Sequence, residues 1–321
     1  MEIAINGGYT AFKARNAHHQ ALIASVIGTP DQTRFSVTAP ENSIELITPY
    51  HVLVGEAALT QSAQTQRRED RGWISSREWY ALFTAALSEL TPGSVDCQIV
   101  SGLPLSFYSD KDILRDRLLG EHHIQRAGRR AQTFHVSEAR IIPEPFGTVL
   151  DAALDQRGRV ANPDLATGTV GVIDIGGKTT NLLAVTRLAE VRYESASINV
   201  GGWDVVRRVR TWLTETCPNL DPRDHQIQTA VIQHHIRYYG ERVDLTPVIE
   251  DILPPLADQI IATAGQLWNG GAHLDTIVVT GGGALLLGDH LLPAFPHARV
   301  VADPIFANVN GFWKFARYLW A

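Results

Sequence analysis

Residues 169 to 185 read TVGVIDIGGKTTNLLAV. An apolar, largely β-branched segment (Val170, Val172, Ile173) ends in Asp174. Gly176, Gly177, Lys178, Thr179, Thr180 and Asn181 follow, and a second apolar segment (Leu182, Leu183, Val185) leads away. This spacing predicts a strand, a polar glycine turn and a returning strand. Glycines let the backbone approach an anion closely, and successive N–H groups in a tight turn form an anion-binding nest. Lys178 and Thr179 add donors. A carboxylate at the strand end repels phosphate, but it can hold Mg²⁺ through water. The stretch therefore has the parts to bind a nucleoside triphosphate with its metal, although Asp-x-Gly-Gly alone also fits an ordinary polar hairpin.

A weaker copy opens the chain. In MEIAINGGYTAFKAR, Ile3 and Ile5 lead to Asn6, Gly7, Gly8, Tyr9 and Thr10, with Lys13 on the far side of the turn. Two such hairpins in the two halves of one chain imply an internal duplication with a ligand between the halves.

Three other turns carry chemistry. Pro143-Glu144-Pro145-Phe146-Gly147 lies between a strand edge and a helix. Two prolines hold the Glu144 carboxylate rigidly, as suits a group that orients an attacking water; a plain helix N-terminal acid is the alternative. DTIVVT runs straight into Gly281-Gly282-Gly283 and then a helix, a pattern in which the backbone can lie against a nucleotide. Gly201 and Gly202 open another helix.

Elsewhere the pattern predicts separate strands over Gln132–Val136 and Ala139–Ile142, and a strand over Val191–Val200. Helix is expected near Ile227–Tyr239 and from Ile252 to Trp268, the latter interrupted at Pro254-Pro255. A final aromatic helix is expected from Phe312. The charge run at Gln64–Arg71 reads as a solvated loop or helix face. The polar stretch Gln156–Gly168 is the candidate boundary between halves.

Composition narrows the class. The 321 residues are 45% hydrophobic and 19% charged, with a formal net charge of −6, so no basic field points to nucleic acid or to an anionic membrane. Cys97 and Cys217 share no metal spacing and read as free thiols in a reducing compartment. No signal-peptide pattern opens the chain and no apolar run reaches about 18 residues. A cytoplasmic protein is expected.

Taken together, the pieces resemble the actin, sugar-kinase and DnaK-type chaperone superfamily of ATPases. Ile173-Asp174-Ile175-Gly176-Gly177-Lys178-Thr179-Thr180 is similar to its second phosphate motif. Pro143-Glu144-Pro145-Phe146-Gly147 is similar to its first connecting turn, and Val279-Thr280-Gly281-Gly282-Gly283-Ala284 to its adenosine motif. Gly102-Leu103-Pro104, Gly55-Glu56-Ala57-Ala58 and the tail Asp303-Pro304-Ile305-Phe306-Ala307-Asn308 with Gly311-Phe312 look like the plasmid-segregation actins, the ParM/StbA group.

The resemblance implies a two-lobed α/β, ribonuclease H-like actin fold with nucleotide in the interlobe cleft. One lobe would comprise residues 1–158, with a small insertion about 28–75, plus the C-terminal helix 312–321. The other would comprise 159–311, with an insertion about 205–252. It also implies an ATPase, using ATP or GTP with Mg²⁺, that polymerises head to tail into open filaments. Such a filament would segregate plasmid DNA through a centromere-binding adaptor, touching DNA only indirectly and using no membrane. In the family's roles, Asp174 holds the Mg²⁺ shell and Glu144 orients water. Asn6, Gly8, Tyr9, Thr10 and Lys13 meet the phosphates from the first hairpin, and Gly176, Gly177, Lys178 and Thr179 from the second. Gly201, Gly202, Gly281, Gly282 and Gly283 line the nucleoside, and Arg237–Glu241 is a candidate for purine selection. The first hairpin departs from the family pattern, which has Asp where this chain has Asn6. A non-polymerising scaffold, a small-molecule kinase using Glu144 as base, and a cytoskeletal actin unrelated to plasmids are the alternative readings.

Overall fold

The computed structural model describes residues 1–30, 43–68 and 70–320. The chain forms two compact units. One comprises Met1–Ala166 and Phe306–Ala321, the other Thr167–Ile305.

In the first unit the sheet is built outward from three parallel strands, Glu2–Gly7, Val95–Leu103 and Gln132–Pro143. Glu2–Gly7 also pairs antiparallel with Ala11–Arg15, which pairs in turn with Gln20–Ala24. On the other side Gly120–Arg126 leads to Ile44–Thr48, Val52–Val54, Ile27–Gly28 and Thr65–Gln66. Side chains alternate between faces. Ile3, Ile5, Phe12 and Ile99 pack with Trp79, Leu82, Phe83 and Leu87 of helix Arg77–Leu90. Ala4, Val100 and Ile142 pack on the opposite face with Leu150 of helix Phe146–Ala153 and with Val309, Phe312 and Trp313 of helix Ala307–Trp320. A central strand buried on both faces needs the unbroken apolar run found at Ile3–Ile5.

The second unit is organised on Thr169–Ile175. It runs antiparallel to Thr180–Thr186 and parallel to Thr276–Thr280, which pairs with Ala298–Val300. Ile173, Ile175, Leu182 and Val279 pack against Val205 and Val209 of helix Gly202–Thr216, Ile260 of helix Thr246–Leu267 and Leu287 of helix Ala284–Leu291.

Several local expectations are corrected. Gln132–Pro143 is one strand, its register shifting between Val136 and Glu138, so the two predicted strands are joined by a bulge. The helix expected to reach Tyr239 is Asp224–Gln233; His234 turns left-handed at φ 58°, and His235–Tyr238 and Glu241–Asp244 form a hairpin. Pro254 and Pro255 do not interrupt Thr246–Leu267. A proline orphans the carbonyl four residues earlier. Here both prolines are exposed, as are Glu250 and Asp251, while buried Ile252, Leu253 and Leu256 anchor the other face. Between Val191 and Val200 only Ala196–Ile198 is strand, after a 3₁₀ turn at Arg192–Glu194. The last helix begins at Ala307, a turn before Phe312. Part of the insertion expected at about 28–75 lies outside the described residues. So does Glu69 of the charge run; the rest of that run includes the short strand Thr65–Gln66.

Candidate functional site

In the second unit, the strand register sets Asp174 opposite Asn181 and beside Thr280. All three side chains are buried, Asp174 to 4% exposure. The turn closes through the Gly176 amide, which donates to the Thr179 carbonyl over 2.9 Å. Its carbonyls are occupied by a neighbouring helix: Gly202 N–H donates to Gly176 O (3.0 Å) and Trp203 N–H to Gly177 O (2.8 Å). The Asp204 carboxylate accepts from the Gly201 N–H at 2.9 Å and from Arg207 at 2.7 Å, which fixes the entry of helix Gly202–Thr216. Lys178 and Thr179 are half-buried at the turn.

The triple glycine is fastened to the same strand. Gly283 N–H donates to Ile175 O at 2.8 Å, and Gly281 N–H donates to Pro304 O at 2.9 Å. Gly281 has φ 86°, and a Cβ there would lie 2.3 Å from Ile175 O and 2.5 Å from Asp174 Oδ1. A Cβ on Gly283 would lie 2.4 Å from Ile175 Cγ2, and one on Gly201 2.4 Å from Gly177 O. A Cβ on Gly282 would meet nothing within 4 Å. Gly176, Gly177, Gly201, Gly202, Gly281 and Gly283 thus form one floor of bare backbone around the end of the Asp174 strand, with Gly282 facing open space.

The first unit carries the other hairpin. Asn6 is paired in register with Lys13, and Gly7 with Phe12. Directly opposed residues leave the sheet on one face, so Asn6 and Lys13 stand together. Asn6 is 2% exposed, and its Nδ2 has no hydrogen-bond partner among the described residues. Gly8, Tyr9 and Thr10 form the tip. Carbonyls on both sides of Tyr9 are drawn back into the unit: Trp73 Nε1 donates to Gly7 O (2.8 Å), Ser25 Oγ to Gly8 O (2.6 Å) and Ser25 N–H to Thr10 O (3.0 Å). The Tyr9 ring lies 6.0 Å from that of Trp73, and its hydroxyl donates to Asp70 O at 3.4 Å. The Asp70 carboxylate caps Gly72 N–H, and the Arg68 guanidinium beside it holds it below the usual carboxylate range.

Glu144, half-buried, sits where strand Gln132–Pro143 passes into helix Phe146–Ala153. Its N–H donates to Leu103 O at 2.8 Å, and its carbonyl accepts from Gly147 N–H at 3.1 Å. That helix is seated on helix Ala307–Trp320. Thr148 N–H and Oγ1 donate to Asn308 Oδ1 (3.1 and 2.8 Å), and a Cβ on Gly311 would lie 1.7 Å from Gly147 O. Trp73, Ser25, Asp204 and Asn308 are supports that sequence reasoning did not assign. Asn308 lay in a quoted motif and Asp204 in the helix start Gly201-Gly202-Trp203-Asp204; Trp73 and Ser25 carry no local signal.

Arg237–Glu241 forms the end of the hairpin His235–Asp244. Among the described residues no group of three or more His, Cys, Asp or Glu side chains could hold a metal ion.

Two family profiles match the chain. "Actin like proteins N terminal domain" matches residues 4–147, and "Archaeal actin homologue MreB-like, C-terminal" matches residues 172–292. The chain belongs to the actin-like superfamily. This actin-like chain shares its fold with a non-polymerisable quadruple mutant of pCBH ParM (TM-score 0.82, 22% identity, 99% of each chain covered). It is likewise similar to the ParM of a 15-stranded filament from Clostridium botulinum (0.82, 23%, 99% of each). A third similar structure is Ta0583, an archaeal actin homologue, in complex with ADP (0.81, 20%, 99% of each). A search of curated proteins finds no match. No helix among the described residues is long and apolar enough to cross a membrane.

Proposed function

We propose that this actin-like chain binds and hydrolyses a nucleoside triphosphate and assembles with copies of itself into filaments. The observation that carries the reading is the glycine floor: three glycine segments, each joined to a neighbour by backbone hydrogen bonds around buried Asp174, with Gly282 open. Bare backbone admits a ligand to within contact of N–H groups, and the occupied turn carbonyls leave donors rather than acceptors for an anion. The ADP complex of one structural neighbour and the filament of another support the same reading.

In this proposal Gly8, Tyr9, Thr10 and Lys13 and the turn Gly176–Thr179 bind phosphate oxygens, and Gly201, Gly202 and Gly281–Gly283 border the nucleoside. Asp174 suits a Mg²⁺ held through water, because a single buried carboxylate matches an ion that keeps several waters and phosphate ligands. The ion would neutralise phosphate charge. Glu144 orients the attacking water from a rigid strand-to-helix turn. The finer role is plasmid segregation through a DNA-binding adaptor, with ATP or GTP as the fuel.

The test is right-angle light scattering of the purified chain with Mg-ATP, Mg-GTP, Mg-ADP or no nucleotide, with phosphate release followed in the same sample. Triphosphate-dependent scattering that decays as phosphate appears is the expected result. Tight nucleotide binding with no assembly at any concentration overturns the filament reading in favour of a scaffold or small-molecule kinase.

A further inference from the structure

The hairpin His235–Asp244 carries a charge pattern that its own unit leaves unanswered. Arg237 and Arg242 are directly opposed across it, so both leave the hairpin on one face, and both are exposed. Like charges in that position weaken a strand pair. Among the described residues neither guanidinium has an ion-pair partner. The carboxylates nearest in sequence do not answer them. Asp244 accepts from Thr246 N–H at 3.0 Å and from Thr246 Oγ1 at 2.7 Å, and Glu241 pairs with Tyr238 on the opposite face. At the tip, the Tyr238 hydroxyl donates to Pro218 O at 2.7 Å, whereas Tyr239, at φ 48°, is 80% exposed. Tyrosine and arginine are the residue types that carry much of the energy in protein interfaces.

The hairpin is separated by Leu245 alone from the helix Thr246–Leu267, whose outward stripe has the opposite character. Its exposed residues recur at helical spacing: Pro247, Glu250, Asp251, Pro254, Pro255 and Asp258. The whole helix contains no Lys, Arg or His. Among the described residues none of the three carboxylates has an ion-pair partner. The prolines add a second kind of acceptor. With no N–H at 254 and 255, the Glu250 and Asp251 carbonyls lose the donors an ordinary helix supplies, on the side that faces solvent. Between Pro247 and Asp258 the stripe offers only acceptors, and the Arg237–Arg242 pair offers only donors.

We propose that the arginine pair of one copy of this chain docks on the acidic stripe of a second copy, Arg237 and Arg242 donating to the carboxylates of Glu250 and Asp251 and to the carbonyls that Pro254 and Pro255 leave open. A guanidinium suits this surface because its planar fork reaches two acceptors at once, which an ammonium does not. Within one copy the two surfaces form no ion pair with each other; a second copy brings donors and acceptors together. The contact uses no residue of the glycine floor, so it stands apart from nucleotide binding.

The test is sedimentation velocity of the full chain without nucleotide, over a concentration series, in about 50 and about 500 mM NaCl. Wild type is expected to self-associate at the lower salt and to weaken severalfold at the higher. Arg237→Glu/Arg242→Glu and Glu250→Lys/Asp251→Lys should each weaken association about tenfold or more. An equal mixture of the two should return to within about threefold of wild type, because every contact in it pairs opposite charges. Arg237→Lys/Arg242→Lys should keep only part of the affinity, since the fork is lost. Arg237→Ala/Arg242→Ala should lose association yet melt no lower than wild type, because it relieves a like-charge pair; it decides alone if a reversed variant does not fold. The inference is overturned if wild type is monomeric at every concentration, if either reversal associates like wild type, or if the mixture stays as weak as its components, which would assign the arginine pair to another acidic partner. No nucleotide is present, so none of these outcomes bears on nucleotide binding or on triphosphate-driven filaments.

Discussion

The amide N–H of Gly202 donates to the carbonyl oxygen of Gly176 over 3.0 Å. With Trp203 N–H on Gly177 O, this spends on a β-turn the first two donors of a helix, which are ordinarily left for a cap or a ligand. The helix N-terminus therefore braces the turn, its first N–H groups engaging the turn's carbonyls. Gly201 is where the two pieces touch. Its Cβ would lie 2.4 Å from Gly177 O, with backbone on the other side that cannot yield as a side chain does. Gly201→Ala should destabilise the fold by about 1–3 kcal/mol, read as a lower urea midpoint at unchanged m-value. Wild-type stability would show that the turn and helix are not braced.

The triple glycine separates fold from function more sharply. Gly281→Ala places a Cβ at φ 86° and 2.3 Å from Ile175 O, so it should cost about 3 kcal/mol or more from strain and overpacking together. Gly282→Ala meets nothing within 4 Å and should leave the melting temperature within about 2–4 °C of wild type. If nucleotide lies over this turn, the added methyl at Gly282 should still weaken ADP binding, while a variant remote from the floor such as Gly93→Ala, also in open space, should not. Equal ADP affinity for Gly282→Ala and wild type would argue that the ligand lies elsewhere.

Both hairpins were legible because their signal is local: an apolar run, a polar residue, a glycine pair and a second apolar run occupy adjacent positions. The same holds for the strand entering Gly281. The supports Trp73, Ser25 and Asn308 were not legible because each depends on residues distant in sequence. Trp73 reaches Gly7 from just beyond a charge run that reads as solvated surface, and Ser25 reaches Gly8 from a strand end with no distinguishing pattern. Gly201 and Gly202 could be seen as a helix start, but the partner of their N–H groups is a tertiary fact. The hairpin at His235–Asp244 escaped because its turn, Tyr239-Gly240, has left-handed φ at a tyrosine, where propensity gives no warning. Pro254-Pro255 misled for the opposite reason. Local propensity predicted a break, and buried packing on the far face of the helix overrode it.

Trp73 offers a test of the first hairpin that leaves its own residues untouched. The ring is 3% exposed, its Nε1 donates to Gly7 O, and it lies beside Tyr9. Trp73→Phe keeps most of the apolar contact and removes the donor. It should cost about 1–3 kcal/mol of stability for the unsatisfied carbonyl and the lost volume. By freeing the Gly7 carbonyl it should also weaken ADP binding severalfold, at unchanged adenosine affinity. Loss of stability with ADP affinity intact would make Trp73 a core residue without a positioning role.

The acid limb of stability should trace to His122. This residue is 3% exposed; its Nε2 lies 2.8 Å from Leu118 O and its Nδ1 2.9 Å from the Tyr80 hydroxyl. A carbonyl can only accept, so Nε2 carries a proton, and in the neutral ring that burial favours Nδ1 accepts from the Tyr80 hydroxyl. Burial pushes its pKa down; the bond to Leu118 opposes this, and His123 and Arg117 add smaller downward influences. The folded state then binds fewer protons than the unfolded state once pH falls below the unfolded value of about 6.5. Stability is thus unaffected by this group above about pH 7 and declines as pH drops below about 6.5, with a slope of at most about 1.4 kcal/mol per pH unit for one proton. Replacing it by glutamine, which can donate to Leu118 O and cannot titrate, should lower stability modestly at neutral pH and flatten the decline. Urea unfolding of wild type and His122→Gln at about pH 7.5 and about pH 5.5 measures this directly. Parallel pH dependence in the two proteins would assign the acid sensitivity to other groups.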